Sequence, residues 1–293
     1  MGDGSDTMVS AGRDALRARA ALLGAALLFS TGGAAIKSVA LDAWSVAGLR
    51  SGVAALLLGL AWPLAWRPGP SVVVAVPYAA TLVLFVAATK RTTAAEAIFL
   101  QSTAPLYVLL LAPVWLGERV RRQDVLALAL MGAGLAVLLT AQAPPQRTAP
   151  DPVGGKVLGL ASGLAWALTL LGLRAAARRG AAEPLGPVVW GNALAFLACV
   201  PVAWPLPPLR AVDLGVLLYL GAVQIGLAYL LLLRGLRGVP APQAALLLLA
   251  EPALNPVWAG WIHGEWPPPL AWVGGGLVLT GAAAQVIFAK QST

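Results

Sequence analysis

Ten stretches of about 20 apolar residues follow one another through almost the whole chain. They cover residues 16–36, 44–65, 71–89, 93–116, 123–141, 154–177, 185–204, 211–233, 240–262 and 269–289. Each is long enough to cross a hydrocarbon layer of roughly 30 Å as a helix. Only 11% of the residues are charged and the mean hydropathy is +0.81, whereas soluble domains carry about 25% charged residues. We therefore predict an all-α polytopic membrane protein with ten transmembrane helices.

The two halves of the chain carry the same sequence pattern. Residues 105–118 read PLYVLLLAPVWLGE and residues 252–265 read PALNPVWAGWIHGE, so each begins with proline and ends in Gly-Glu. The same shift of 147 residues places Gly134 on Gly281. We interpret this pattern as an internal duplication of five helices. Because five crossings are an odd number, the second copy enters the membrane upside down, which predicts two inverted five-helix repeats.

The apolar runs also predict the boundaries of the chain's parts. We expect a disordered tail over 1–15, a first repeat over 16–141, a linker over 142–153, a second repeat over 154–289 and a C-terminal tail over 290–293. Arg13, Arg17 and Arg19 precede a short apolar stretch, and Ser38-Val39-Ala40 resembles a small-residue cleavage site, as in a signal peptide. Cleavage would remove the first helix of the repeat, so we expect that helix to be retained.

Lysine and arginine placement predicts the orientation. Loops on the side of the N-terminus hold about twice as many Lys and Arg residues as loops on the other side. This bias predicts that both termini are cytoplasmic in a bacterial inner membrane. It also explains the net charge of +8 without nucleic acid as a partner.

Polar, aromatic and ionisable side chains inside the predicted spans mark a candidate substrate cavity. They are Ser30, Thr31, Tyr78, Thr81, Phe85, Gln101, Ser102, Trp166, Gln224, Tyr229, Glu251 and Asn255. Glu251 is the foremost of them, because an ionisable group inside a bilayer is costly unless it is paired, protonated or hydrated. It is also the candidate for proton coupling. The structural alternative is a protonated or backbone-bonded carboxyl beside Pro252.

Several other groups have structural interpretations. Gln101 and Ser102 can equally join helices by hydrogen bonds, and the aromatic positions can equally be interior packing. We expect Arg50 to extend to the outer headgroups. Glu118 and Glu265 belong to short loops, where we expect each to pin its hairpin by accepting backbone N–H bonds. The glycines of the fifth and tenth spans permit close helix contact, so we expect these two spans to lie away from the pore.

Signals for an enzyme or a metal site are absent from the sequence. There is no G-x-x-x-x-G-K-[ST], H-E-x-x-H or G-x-S-x-G motif. One cysteine, Cys199, and one histidine, His263, are too few for a His/Cys metal cluster. We therefore expect no cofactor and no catalytic residue.

Taken together, these features resemble the EamA family of the drug/metabolite transporter superfamily. The residues that carry the resemblance are Pro105, Gly117, Glu118 and Gly134 in the first half, and Glu251, Pro252, Gly264, Glu265 and Gly281 in the second. Residues 28–32 (LFSTG) and Arg50 are also similar to that family. The resemblance implies a transporter whose cavity is built from helices 1, 3, 4, 6, 8 and 9. Within the family, the chain is most similar to YddG-like amino-acid exporters.

The leading functional hypothesis is a secondary transporter that exports small metabolites, amino acids foremost, by alternating access. Its partners are then a small-molecule substrate and the lipid bilayer, whereas monomer and homodimer both remain open. An exporter of cationic drugs is the alternative in the same class, with Trp166, Phe85 and Glu251 as the cation site. From another class, a membrane-embedded enzyme or a lipid flippase remains an alternative.

Overall fold

The computed structural model describes residues 3–67, 69, 71–117, 122–141, 145–178 and 185–290 of the chain. Ten helical crossings, α1 to α10, follow the ten predicted spans in these ranges. In chain order they are α1, Asp3–Ser30 continued as Gly32–Ser38; α2, Ala43–Ala61; α3, Ser71–Arg91; α4, Ala94–Gln101 and Ala104–Leu116; α5, Arg122–Thr140; α6, Pro152–Arg178; α7, Gly186–Ala203; α8, Ala211–Leu218, Tyr219–Leu227 and Ala228–Leu236; α9, Ala241–Leu248 and Ala250–His263; and α10, Pro269–Lys290.

The described helices are suited to a membrane by length and composition. Nine of the crossings in the described ranges are long and apolar enough to span a bilayer, and α5 contributes a shorter apolar helix over Asp124–Thr140. Large apolar side chains face outward, among them Val114 at 88% and Val73 at 76% exposure. Such a surface suits hydrocarbon, because every backbone polar group of a helix is already bonded within it. The ten-helix prediction is confirmed.

The first helix differs from the prediction at its start. We expected residues 1–15 to be a disordered tail, but the structure continues α1 back to Asp3. No proline interrupts this stretch, so each residue keeps the backbone N–H that a helix requires. Helix therefore extends past the apolar run. Of the predicted C-terminal tail, only Lys290 lies within the described residues.

Local signals explain where the helices begin and end. Asp42 caps α2 by accepting bonds from the backbone N–H groups of Trp44 (2.8 Å) and Ser45 (3.0 Å). At their far ends, α4 and α9 both stop at a left-handed glycine, Gly117 with φ 67° and Gly264 with φ 65°. Glycine adopts this conformation without the steric cost that a Cβ imposes.

The helix breaks repeat between the halves. The first segment of α4 ends at Gln101 and that of α9 at Leu248, each after eight residues. The two positions are related by the same shift of 147 residues as the Gly-Glu motifs. The duplication visible in the sequence is therefore present in the backbone.

α5 and α10 pack against each other through reciprocal glycine contacts. A Cβ added to Gly134 would lie 2.8 Å from the nitrogen of Val278, and one added to Gly281 would lie 2.7 Å from Cγ of Met131. The shift of 147 residues exchanges these two contacts, Gly134 with Gly281 and Met131 with Val278. A contact that maps onto itself in this way is the mark of a twofold axis between the repeats. This arrangement fits two inverted five-helix repeats.

Candidate functional site

A cavity of about 170 Å³ lies between the two repeats. It is lined by Phe29, Arg50, Tyr78, Thr81, Leu82, Phe85, Gln101, Trp166, Gln224, Ile225, Tyr229, Leu232, Leu248 and Glu251. Eight of the twelve predicted cavity residues are in this set: Tyr78, Thr81, Phe85, Gln101, Trp166, Gln224, Tyr229 and Glu251. The lining comes from the six helices that the family resemblance implied and, in addition, from α2. No described residue of α5 or α10 contributes to it.

Four aromatic rings form one side of the cavity, which we call the aromatic wall. The ring centroids of Phe29 and Tyr229 are 5.3 Å apart, those of Tyr229 and Tyr78 are 6.0 Å apart, and those of Tyr78 and Trp166 are 6.3 Å apart. The first two pairs meet edge to face, an arrangement that the ring quadrupoles favour. The wall joins α1 and α3 of the first repeat to α6 and α8 of the second.

The break in α4 positions Gln101 at the cavity. Gln101 is the last residue of the first segment, and its Nε2 donates to Oγ of Ser162 on α6 at 2.7 Å. Ser162 Oγ in turn donates to the backbone oxygen of Thr81 on α3 at 3.2 Å. These bonds link the first repeat to the second beside the cavity.

An irregular stretch of α8 brings further polar groups to the cavity. Residues Tyr219–Leu227 form a π-helical segment that contains Gln224 and Ile225. Nε2 of Gln224 donates to the oxygen of Phe29 at 3.3 Å. Gly32 leaves room for this amide, because a Cβ there would lie 2.8 Å from Nε2. π-helical insertions are often found at functional sites.

Glu251 lies in the first turn of the second segment of α9, half-buried at the cavity. Its carboxylate forms no hydrogen bond or ion pair with any residue that the structure describes. The N-terminus of a helix favours a negative charge, since its amide dipoles point towards it. The equivalent position of the first repeat is Ala104, so the cavity has this carboxylate on one side alone among its described lining residues.

Arg50 overturns one prediction. We expected its side chain to reach the outer headgroups, but it is 2% exposed and lines the cavity. Its Nη2 donates to the backbone oxygen of Leu82 at 3.2 Å, and its Nε has no partner among the described residues. Helix packing on both sides encloses the guanidinium before it can reach the end of α2. Arg50 is therefore a cavity residue that our interpretation of the sequence missed.

Four predicted cavity residues are not among those that line it. The hydroxyls of Ser30, Thr31 and Ser102 each donate to a carbonyl one turn earlier in their own helix, at 2.7 Å in all three cases. Ser30 also accepts a bond from Nε1 of Trp258, at 2.9 Å. Asn255 is buried where α9 crosses α1 at Gly33. Short side chains on helices bond locally and fill helix crossings, so their polarity did not indicate a cavity.

Two buried ion pairs lie at the end of the bundle that is opposite the N-terminus, where α1 and α9 end and α4 begins. We call this region the ion-pair end. Nζ of Lys37 is 2.8 Å from Oε2 of Glu265, with both side chains almost fully buried. Nζ of Lys156 is 3.3 Å from Oε1 of Glu96, in a similarly buried setting. Each pair joins one repeat to the other.

Backbone groups add to both pairs. Lys37 also donates to the oxygen of Thr92 at 2.9 Å, and Lys156 donates to the oxygen of Leu138 at 3.0 Å. The hydroxyl of Thr93 donates to Glu96 at 3.2 Å. Buried charges need this degree of compensation, because burial removes their hydration.

The two hairpin glutamates have different outcomes. Oε1 of Glu265 accepts a bond from the backbone nitrogen of Ala94 at 2.6 Å. Ala94 begins α4 of the other repeat, so Glu265 joins the repeats rather than pinning its own hairpin. Glu118, which the sequence predicted for the same role, lies outside the described residues.

Apolar lining residues were missed for a simple reason. Phe29, Leu82, Ile225, Leu232 and Leu248 have the same composition as lipid-facing positions, so a single sequence holds no signal that separates them. The sequence signal that comes closest is proximity along the chain, because each of the five lies within four residues of a polar residue that we predicted to line the cavity. One helical turn around a buried polar group would have found all five.

Ten crossings in two inverted repeats, with a polar cavity where the repeats meet, define a membrane transporter architecture. Comparison with known proteins agrees. The EamA-like transporter family matches residues 17–140 and 153–286. The chain belongs to this family, and thus to the transporters of the drug/metabolite type.

Individual relatives support the assignment. The uncharacterised protein PA1977 of Pseudomonas aeruginosa is 35% identical over 260 residues, covering 84% of this chain and 86% of its own length. An uncharacterised transporter of Archaeoglobus fulgidus is 28% identical over 209 residues, 69% of this chain and 70% of its own. The uncharacterised transporter YwfM of Bacillus subtilis is 38% identical over 80 residues, 27% of this chain and 26% of its own.

A solved protein structure has the same fold. It matches 94% of this chain and 98% of its own with a TM-score of 0.61, at 22% sequence identity. At this identity the likeness concerns the fold alone.

Proposed function

We propose that the protein is a secondary transporter that exports small metabolites, foremost amino acids, across the bacterial inner membrane by alternating access. One observation carries the proposal. The repeats enclose a polar cavity. Among the described residues, buried ion pairs between the repeats occur at one end of the bundle and not at the other. Two similar halves packed in opposite senses have two near-equivalent arrangements, each open to one side.

The cavity extends away from the ion-pair end. Its lining reaches Leu232, one turn before α8 ends at Leu236, and Leu248 in the first segment of α9. Both belong to the half of the bundle where α1 begins. In this state the substrate enters from the N-terminal side, and the ion pairs separate when the cavity opens to the other side.

The distribution of charge supports a cytoplasmic N-terminal side. At the ion-pair end Lys37 and Lys156 are paired with carboxylates, and the exposed Arg91 and Arg210 each lie beside an aspartate, at 3.8 Å and 2.7 Å. Positive charge at that end is thus largely compensated. The loops on the N-terminal side hold about twice as many Lys and Arg residues, which fits the side that is retained in the cytoplasm.

The cavity favours a small cargo over a cationic drug. Trp166, Phe85 and Glu251 do meet around one space, as a cation site requires, but Arg50 lines the same space. A volume of about 170 Å³ is below the roughly 300–1,000 Å³ of sites for drug-sized ligands. A buried guanidinium in so small a cavity disfavours a large organic cation.

Counterflow in proteoliposomes tests the proposal. Vesicles that contain the purified protein are loaded with an unlabelled amino acid mixture, and the uptake of labelled amino acids is followed. We expect saturable uptake that Trp166→Ala lowers by at least tenfold, because Trp166 contributes to the aromatic wall. A panel of amino acids, organic cations and other metabolites for which protein-containing and empty vesicles behave alike would contradict the proposal.

A further inference from the structure

The cavity contains one basic and one acidic side chain, Arg50 and Glu251, and no described residue forms an ion pair with either of them. Nε of Arg50 has no partner, and its Nη2 bonds only a backbone oxygen. The carboxylate of Glu251, half-buried at the cavity, is likewise without a bond to the described part of the chain. An ionisable group without a partner is costly inside a membrane protein, so each group lacks a partner that a bound molecule can supply.

Two tyrosines of the aromatic wall, Tyr78 and Tyr229, line the cavity together with Arg50 and Glu251. Arg50 bonds the backbone oxygen of Leu82, and Tyr78 lies one turn before Leu82 on the same face of α3, so Tyr78 is on the Arg50 side of the cavity. The two rings are 6.0 Å apart. The hydroxyl of Tyr78 is buried, forms no hydrogen bond of ordinary geometry with a described residue, and can donate to an anion in the cavity.

The remaining lining limits the rest of the ligand. Phe85, Ile225, Leu232 and Leu248 are apolar, and the described lining holds no third charged side chain. The ligand that fits has one negative group, one positive group and an apolar remainder, within about 170 Å³. This is the chemistry of an amino acid zwitterion.

We propose that Arg50 and Tyr78 bind the α-carboxylate, and Glu251 the α-ammonium group, of an amino acid with an uncharged, apolar side chain. The assignment rests on the proposed transport function and adds the contacts that select the cargo. Arginine presents a planar fork of donors that matches a carboxylate. A molecule that lacks either charge leaves one buried group unpartnered, which is the strongest basis for rejection that a site offers.

Two analogues, each lacking one charge, test the assignment. Exchange of radiolabelled L-leucine by proteoliposomes is challenged with L-leucine, with L-leucinamide, which lacks the carboxylate, and with N-acetyl-L-leucine, which lacks the ammonium group. We expect both analogues to compete roughly 10- to 100-fold more weakly than leucine. Arg50→Gln should remove the discrimination against leucinamide alone, and Glu251→Gln the discrimination against N-acetyl-leucine alone. If Arg50 and Glu251 had a merely structural role, each variant would not lose discrimination against one analogue and keep it against the other.

Charge-preserving and remote variants complete the design. Arg50→Lys and Glu251→Asp should retain part of the discrimination. Arg17→Gln and Asp14→Asn remove an exposed pair on α1 and should leave it unchanged. For a variant that folds but no longer exchanges leucine, the same three ligands are compared by their effect on the thermal unfolding midpoint in detergent.

The outcomes separate the two proposals. Leucine exchange in which Arg50→Gln and Glu251→Gln discriminate as the parent does would overturn the assignment and leave the transport function standing. Leucinamide competing better than leucine with the parent would also overturn it. Absence of exchange for every metabolite would instead count against the proposed function itself.

Discussion

Lys37 provides the most direct test of whether the ion-pair end opens during transport. Its ammonium group lies 2.8 Å from Glu265, and both side chains are almost fully buried. Lys37→Met keeps much of the side-chain length but removes the charge. Among the described residues, the bond from the backbone nitrogen of Ala94 is then all that still compensates the charge of Glu265.

The size of the effect follows from this burial. Removing one partner of a buried ion pair costs about 3–5 kcal/mol, because the other charge stays buried and uncompensated. If the repeats separate at this end in the alternative state, Glu265 becomes hydrated there and the cost applies to the closed state only. A difference of about 3 kcal/mol shifts the ratio of the two states by roughly 100-fold.

A single cysteine in the cavity measures this shift. Cys199 is buried and is replaced by alanine, and Leu82→Cys introduces a thiol at the cavity. A membrane-impermeant maleimide is applied to vesicles of known orientation, from one side or the other. With Lys37 present, we expect labelling mainly from the N-terminal side. With Lys37→Met, we expect labelling from the ion-pair end to increase by at least tenfold.

A double variant separates gating from general destabilisation. Lys37→Met with Glu265→Gln removes both charges of this pair, and the glutamine oxygen can still accept the bond from Ala94. We expect this variant to return most of the way to the labelling pattern of the parent. Unchanged labelling in a folded Lys37→Met protein would refute the reasoning, because the pair would then not distinguish the two states.

Three further predictions concern the folded bundle, each measured as a thermal unfolding midpoint in detergent. Gly134→Leu should destabilise by about 1–3 kcal/mol or more, because α10 leaves no room for a side chain, whereas Gly132→Leu points into open space and should be nearly neutral. Equal effects of these two would contradict the packing described. Asp42→Ala should cost about 1 kcal/mol through loss of the α2 cap, and Asp42→Asn much less. Gly264→Ala should cost about 1–2 kcal/mol, since alanine resists the left-handed conformation.

The architecture was predictable because its signals repeat along the chain. Apolar runs of span length gave ten helices, and the recurring proline and Gly-Glu motif gave the duplication. The odd number of spans in each copy then required inversion. The backbone shows the same recurrence, in the breaks that follow Gln101 and Leu248.

The site was only partly predictable, because a polar side chain in a helix can either line a cavity or bond a carbonyl of its own helix. Glu251 and Gln101 line the cavity, whereas Ser102, next in sequence to Gln101, bonds a carbonyl of its own helix. Arg50 shows the opposite error, since its place near a helix end suggested contact with headgroups. The rotational position of a residue on a packed helix decides such cases, and one sequence does not fix it.

The reciprocal contact of Gly134 and Gly281 has a consequence for how such a protein can originate. Two identical half-length chains, inserted in opposite directions, could make this seam with each other and need no covalent link. Once the two halves are fused into one polypeptide, they no longer have to be identical in sequence. Residue 251 could become acidic while its counterpart, Ala104, stayed apolar. The states that open to the two sides of the membrane thereby need no longer be equal in free energy, whereas the net direction of transport is set by the gradients of the substrate and of any coupled ion.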